Sequence, residues 1–161
     1  MNIVIYGNSG SGKTTLARHM ASVSGAAVLS LDAIAWKGSV ERVSHEECVR
    51  AMREFMAAHD VWIMEGCYGT LVEAALPHAE TLIFLNPGVA ACVSNCRARP
   101  WEPDKFASPD EQDRMIESLI EWVKQYDTRD DEFGLHCHRR IFAAFSGRKI
   151  ERTEMNGELE L

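Results

Sequence analysis

Residues 7–14 read Gly-Asn-Ser-Gly-Ser-Gly-Lys-Thr, a complete GxxxxGK[ST] loop, and their flanks are what constrain the fold. Met1-Asn2-Ile3-Val4-Ile5-Tyr6 before it is a short apolar run that reads as a strand. Lys13-Thr14-Thr15-Leu16-Ala17-Arg18-His19-Met20 behind it reads as the opening of a helix. A strand, a glycine-rich turn and a helix N-terminus together point backbone N–H groups at an anion. Gly7, Gly10 and Gly12 can take backbone angles that a Cβ disfavours. Asn8, Ser9, Ser11 and Thr15 complete the cradle around them. Lys13 is expected to reach the β- and γ-phosphates of a polyphosphate, and Thr14 to offer its hydroxyl to Mg²⁺.

A length of 161 residues predicts a single domain, 1–161, able to bury a core without staples. No apolar run is long enough to cross a bilayer, and the N-terminus lacks a signal-peptide pattern, so the expected location is cytoplasmic. The formal charge is −7, which argues against a nucleic-acid partner held by bulk electrostatics. Cations are clustered instead: no Lys or Arg lies between Glu54 and Cys96, whereas Arg97, Arg99 and Lys105 follow closely. The five cysteines are odd in number and irregularly spaced, which suits reduced, buried thiols. Neither Cys92/Cys96 nor His136-Cys137-His138 has the CxxC spacing of a zinc knuckle.

The pattern along the chain alternates strand and helix. The first helix covers about 13–23, and Ala27–Leu31 is a strand ending at Asp32. Residues 33–43 read as loop, and Ser44-His45-Glu46-Glu47 as a capping box opening a helix. Val61–Met64 is a strand ending at Glu65-Gly66, a short helix follows at about 70–76, and Thr81–Leu85 is the next strand. Pro87 opens a helix running to about Arg97. Residues 99–106, with two prolines, interrupt it, and Ser108-Pro109-Asp110-Glu111 restarts a helix with Met115, Ile116, Leu119, Ile120, Val123 and Tyr126 as its apolar stripe. A helix at about 132–145 and a strand at 148–152 complete the pattern, before a polar tail. The predicted class is α/β, a three-layer doubly wound parallel sheet with a short lid insertion at about 98–108.

Ligands in such sheets sit beyond the C-terminal strand ends. Those ends carry Gly7, Asp32 and Glu65. A phosphate loop facing two carboxylates suits phosphoryl transfer, where positioning and charge neutralisation do most of the catalysis. Asp32 is the expected metal or base residue, and Glu65, with Gly66, Trp36 and Tyr68, the acceptor contact. Arg97 and Arg99 are expected to fold over the transferring phosphoryl group with the lid. Arg139 or Arg140 on the late helix is a further candidate for reaching the phosphates.

These residues, in this order, resemble the small P-loop kinases of the adenylate kinase and shikimate kinase group over nearly the whole chain. Leu31-Asp32 with Trp36, and Trp62-Ile63-Met64-Glu65-Gly66-Cys67-Tyr68, are similar more narrowly to bacterial proteins labelled adenylate-kinase-like or topology-modulation proteins. The resemblance implies ATP and Mg²⁺ as cofactors and a small-molecule phosphoryl acceptor, possibly a nucleotide. It departs from adenylate kinases in having Glu65-Gly66-Cys67-Tyr68-Gly69 without their arginine, and from shikimate kinases in lacking their Asp-x-Asp and glycine triplet. The competing function is a nucleotide-binding regulator with slow ATPase activity.

Overall fold

Consecutive parallel strands cannot be joined by a tight turn, so each must be followed by a crossover that recrosses the sheet. The computed structural model describes residues 1–38 and 41–155. β1 (Ile3–Gly7) leads into α1 (Lys13–Ser24), β2 (Ala27–Ser30), α2 (Leu31–Ala35) and the two-residue strands β3 (Trp36–Lys37) and β4 (Glu41–Arg42). Then come α3 (His45–Ala58), β5 (Trp62–Gly66), α4 (Gly69–Ala75), β6 (Thr81–Leu85), α5 (Val89–Arg97), α6 (Pro109–Val123), α7 (Leu135–Ala144) and β7 (Arg148–Arg152). The main sheet is five-stranded in the order β2-β5-β1-β6-β7, and every pairing in it is parallel. The expected three-layer α/β architecture is the one found.

Alternation along the central strands sorts the core into two layers. Val4, Tyr6, Trp62, Met64, Leu82 and Phe84 face α2, α3, α4 and α7. Ile3, Ile5, Ile63, Ile83 and Leu85 face α1 through Ala17 and Met20. The helices α5 and α6 form a smaller core of Cys92, Cys96, Ile116, Ile120 and Val123. Both serines cap their helices: Ser44 Oγ accepts from Glu47 N at 3.3 Å, and Ser108 Oγ from Glu111 N at 3.1 Å, while the Glu111 carboxylate reaches back to Ala107 N at 2.8 Å.

Three local expectations are corrected. The second strand ends at Ser30, and Leu31 and Asp32 open a short helix. The stretch read as loop therefore holds α2 and the antiparallel β3–β4 pair, with only 39–40 outside the described residues. It forms because Val43 N donates to Ala35 O at 2.8 Å, closing the ends of the hairpin. Met115 is exposed, so the stripe of α6 is narrower than expected, while Tyr126 is buried beyond the end of that helix. Of the predicted polar tail, residues 156–161 lie outside the described residues. Among the described residues no helix is long and apolar enough to cross a membrane.

Candidate active site

β1 delivers the phosphate loop, and the turn closes through Ser11 N to Asn8 O at 3.2 Å. Gly10 has φ +81°, and a Cβ there would lie 2.5 Å from Cys92 O, because the loop is pressed against α5. No other residue type fits both constraints. Two side chains hold the loop from outside: Asn95 Nδ2 donates to Gly10 O at 2.8 Å, and Asn8 Nδ2 to Val123 O at 3.3 Å. Lys13 is buried, arching back so that Nζ donates to Asn8 O at 2.7 Å. Among the described residues it has no carboxylate partner, so its charge is balanced only by a carbonyl dipole. Ser11 Oγ is buried with no hydrogen-bond partner among the described residues. An uncompensated ammonium and an orphaned hydroxyl in one glycine-rich turn fit a polyphosphate.

The two carboxylates come from neighbouring parts of the sheet edge: Glu65 on β5, and Asp32 in α2 just beyond the end of β2. Glu65, 3 % exposed at the end of β5, is opposite Ile5 of β1 on one side and Ser30 of β2 on the other. It accepts a hydrogen bond from Thr14 Oγ1 at 3.1 Å. An expected metal ligand, Thr14, is thus joined to Glu65 rather than to Asp32. Hard oxygen donors from a hydroxyl and a carboxylate suit Mg²⁺.

Asp32, in the first turn of α2, has a different set of neighbours. Its Oδ1 accepts a hydrogen bond from the Tyr68 hydroxyl, which in turn accepts from Trp36 Nε1 at 2.8 Å. The Arg42 guanidinium lies 4.7 Å from the centre of the Tyr68 ring, and Phe133 meets that ring edge-on at 5.4 Å. Burial, reinforced by the hydrogen bond to Asp32, raises the Tyr68 pKa, keeping the phenol protonated as a donor.

A cleft of about 740 Å³ joins these parts. Ser9, Gly10, Ser11, Gly12, Lys13, Thr14, Thr15, Asp32, Glu65, Arg99 and Lys105 line it. Gly7, Asn8, Trp36, Gly66, Tyr68 and Arg97 do not. Gly7 and Asn8 support the loop from behind. Gly66 is a packing position, since a Cβ there would meet Leu31 Cβ at 2.8 Å. Trp36 and Tyr68 act on the cleft through Asp32.

No family model matches the chain, and no curated protein matches it. Solved structures do. A gluconokinase from Sinorhizobium meliloti 1021 superposes with a TM-score of 0.54 at 15% identity, over 93% of this chain and 81% of that one. TT1252 from Thermus thermophilus gives a TM-score of 0.56 at 16% identity, over 96% and 90%. The chain has the fold of a small P-loop kinase.

Within this P-loop kinase fold, several of the cations take positions that the sequence reading did not anticipate. Arg97 forms an exposed ion pair with Glu117 of α6 and points away from the cleft, leaving Arg99 and Lys105 as the cleft cations of this segment. Arg139 pairs with Glu151 at 3.2 Å and Arg140 with Glu73 at 3.5 Å, so neither late-helix arginine lines the cleft. Arg152, at the C-terminal end of β7, does. The strand-end rule that singled out Asp32 and Glu65 applied to that residue too. Arg18, His19, Asn95 and Met155 also line the cleft without having been singled out. The irregular segment 98–108 is fastened by the buried Gln112, whose Nε2 donates to Pro100 O at 2.9 Å and whose Oε1 accepts from Glu102 N at 2.8 Å.

Behind Cys67 and Tyr68 lies a buried histidine. His138 Nε2 is 3.0 Å from Cys67 O, an acceptor, so Nε2 carries the proton. Nδ1 therefore accepts from the Tyr126 hydroxyl at 2.7 Å, and His138 O accepts from the Tyr6 hydroxyl at 2.7 Å. Burial pushes His138 down to about 4. The Cys67 thiol is pushed up to about 12 by burial, which leaves it an inert thiol rather than a nucleophile.

Proposed function

We propose that this chain is an ATP-dependent phosphotransferase that moves a γ-phosphoryl group to a hydroxyl of a small acceptor. The observation that carries this is the division of labour between two carboxylates on one cleft: Glu65 is bonded to Thr14 of the phosphate loop, and Asp32 to Tyr68 away from it. A simple hydrolase or binding module needs the first arrangement but not the second. The fold shared with a gluconokinase supports a small-molecule acceptor.

In this reading Lys13 leaves Asn8 O and turns its ammonium to the phosphate oxygens. Thr14 and Glu65 would hold Mg²⁺, which when bound would neutralise charge on the phosphate oxygens. This moves the metal role from Asp32 to Glu65 and leaves Asp32 with the base role, the other of the two first expected of it. Asp32 accepts the proton of the acceptor hydroxyl as its oxygen bonds to phosphorus and the bond to the ADP leaving oxygen breaks. Arg99 and Lys105, on segment 98–108, supply charge to the phosphoryl group as that segment closes and excludes water.

The test is ADP release from MgATP with a panel of gluconate, shikimate, nucleoside monophosphates and simple polyols. Acceptor-stimulated turnover that disappears in Lys13→Ala is the expected result. Hydrolysis indifferent to every acceptor overturns the transferase reading in favour of a nucleotide-dependent regulator. Absence of MgATP binding overturns both.

A further inference from the structure

Tyr68 makes two hydrogen bonds whose directions are fixed by chemistry. An indole N–H only donates, and an ionised carboxylate only accepts. Trp36 must therefore give its proton to the Tyr68 oxygen, and Tyr68 must give its own to Asp32 Oδ1. The chain of bonds runs one way and ends on the cleft. It crosses three separate segments: the β3–β4 hairpin, the turn after β5 and the start of α2.

Tyr68 has little freedom to do anything else. Its side chain is 3 % exposed, with Arg42 on a face and Phe133 at an edge. Arg42 is itself fixed by Nη1 to Ala35 O and to Val43 O, each at 3.3 Å. Trp36 is 41% exposed, yet its indole N–H is turned inward to the Tyr68 oxygen.

We propose that Trp36 and Tyr68 are positioning residues for Asp32: their relay occupies Oδ1 and so presents Oδ2 as the oxygen that receives the acceptor hydroxyl. This rests on the transferase reading for its consequence, but the relay itself is measurable without any acceptor. Hydrogen bonds in series polarise one another, so the charge on Asp32 strengthens the bond that Trp36 makes two links away. A tyrosine and a tryptophan that merely pack would not transmit that charge.

The deciding experiment follows the four tryptophan indole N–H signals of the full chain by ¹H–¹⁵N NMR, with Trp36 identified by its loss in Trp36→Phe. In the isosteric Asp32→Asn variant the Trp36 signal should move upfield while the other three stay in place. Tyr68→Phe, which keeps the ring, should move it further. MgADP binding by calorimetry should match the wild type in all three variants. With an acceptor from the panel above, Tyr68→Phe should lower kcat about tenfold at unchanged KM for MgATP. Trp36→Phe should lower it about threefold, and the double variant should be no worse than Tyr68→Phe, because both cut one chain. An unmoved Trp36 signal in Asp32→Asn overturns the proposal, as does an unchanged kcat in Tyr68→Phe. Failure of the wild type to bind MgADP would remove the transferase reading while leaving the relay measured in its own right.

Discussion

The two halves of the cleft are built from different materials. The phosphate half is backbone: a turn of consecutive residues, a helix N-terminus, and a lysine and a threonine whose positions follow from the turn. The half proposed to meet the acceptor is side chains gathered from afar, with Asp32, Trp36, Tyr68, Arg42 and Phe133 spread over about a hundred residues of chain. A backbone site tolerates almost any change behind it provided the turn survives. A side-chain site is only as good as the packing that holds each member.

Lys13→Ala should be the most damaging single change to function. It removes the cation that, in the proposed mechanism, turns from Asn8 O to the phosphate oxygens, and turnover should fall about 10³-fold in an ADP-release assay. The thermal midpoint should stay near that of the wild type, since among the described residues the hydrogen bond recorded for Lys13 is to Asn8 O. A large loss of stability instead would show that the phosphate half also depends on side-chain packing, and the contrast would fail.

The same contrast explains what was legible in the sequence. Gly7 to Thr14 could be read because a local motif specifies a local structure. The central strands β1, β5 and β6 could be read because a strand buried on both faces is a short continuous apolar run. The β3–β4 hairpin could not: its strands have two residues each and no alternation to detect. Asp32 and Glu65 were found by the strand-end rule, but their partners were not. Which of two carboxylates meets Thr14 depends on sheet order, and β5, not β2, lies next to β1. Arg97 and Arg99 are indistinguishable by composition. Two residues apart near a helix end they point in different directions, and only the presence of Glu117 on α6 shows which one is spent on the surface.

The acceptor half should show its dependence on packing through pH. Burial holds His138 at about 4, below the ordinary histidine value, so the unfolded chain binds its proton more readily than the folded one. Its contribution is complete above about pH 6.5 and is lost as pH falls from there toward 4. The total is about 3 kcal/mol. The groups around it are Tyr6, Tyr126 and Cys67, with the charges of Lys13 and Asp131 opposing each other across it. Denaturant unfolding at a series of pH values should show this slope in the wild type and lose it in His138→Gln. Hydrogen exchange should place the first losses of protection at Cys67 and Tyr68 rather than at Gly10 to Thr14.

Asp32→Asn and Glu65→Gln sharpen the division within the cleft. Asp32→Asn should lower acceptor-dependent turnover about 10²-fold, with MgATP binding by calorimetry unchanged. Glu65→Gln should raise the Mg²⁺ concentration needed for half-maximal activity. If each variant shows the other's signature, the Thr14–Glu65 bond is not the metal side, and the roles return to those first expected from the sequence.

The smallest effect should come from Arg97. It stands beside the cleft in sequence, yet its guanidinium is half-exposed and paired with the equally exposed Glu117. Exposed pairs of this kind contribute about 0–1 kcal/mol. Arg97→Ala should change turnover by less than about twofold and stability by no more than that range. Arg99→Ala removes a cation that lines the cleft, and should lower turnover about tenfold. Measured side by side, the two variants report where segment 98–108 lies when nucleotide is bound. A tenfold loss in Arg97→Ala with Arg99→Ala silent would mean that closure rotates the end of α5, breaks the pair with Glu117 and brings Arg97 onto the phosphates. The phosphate half would then owe its final cation to a moving side chain, and the difference between the two halves would hold only for the open cleft.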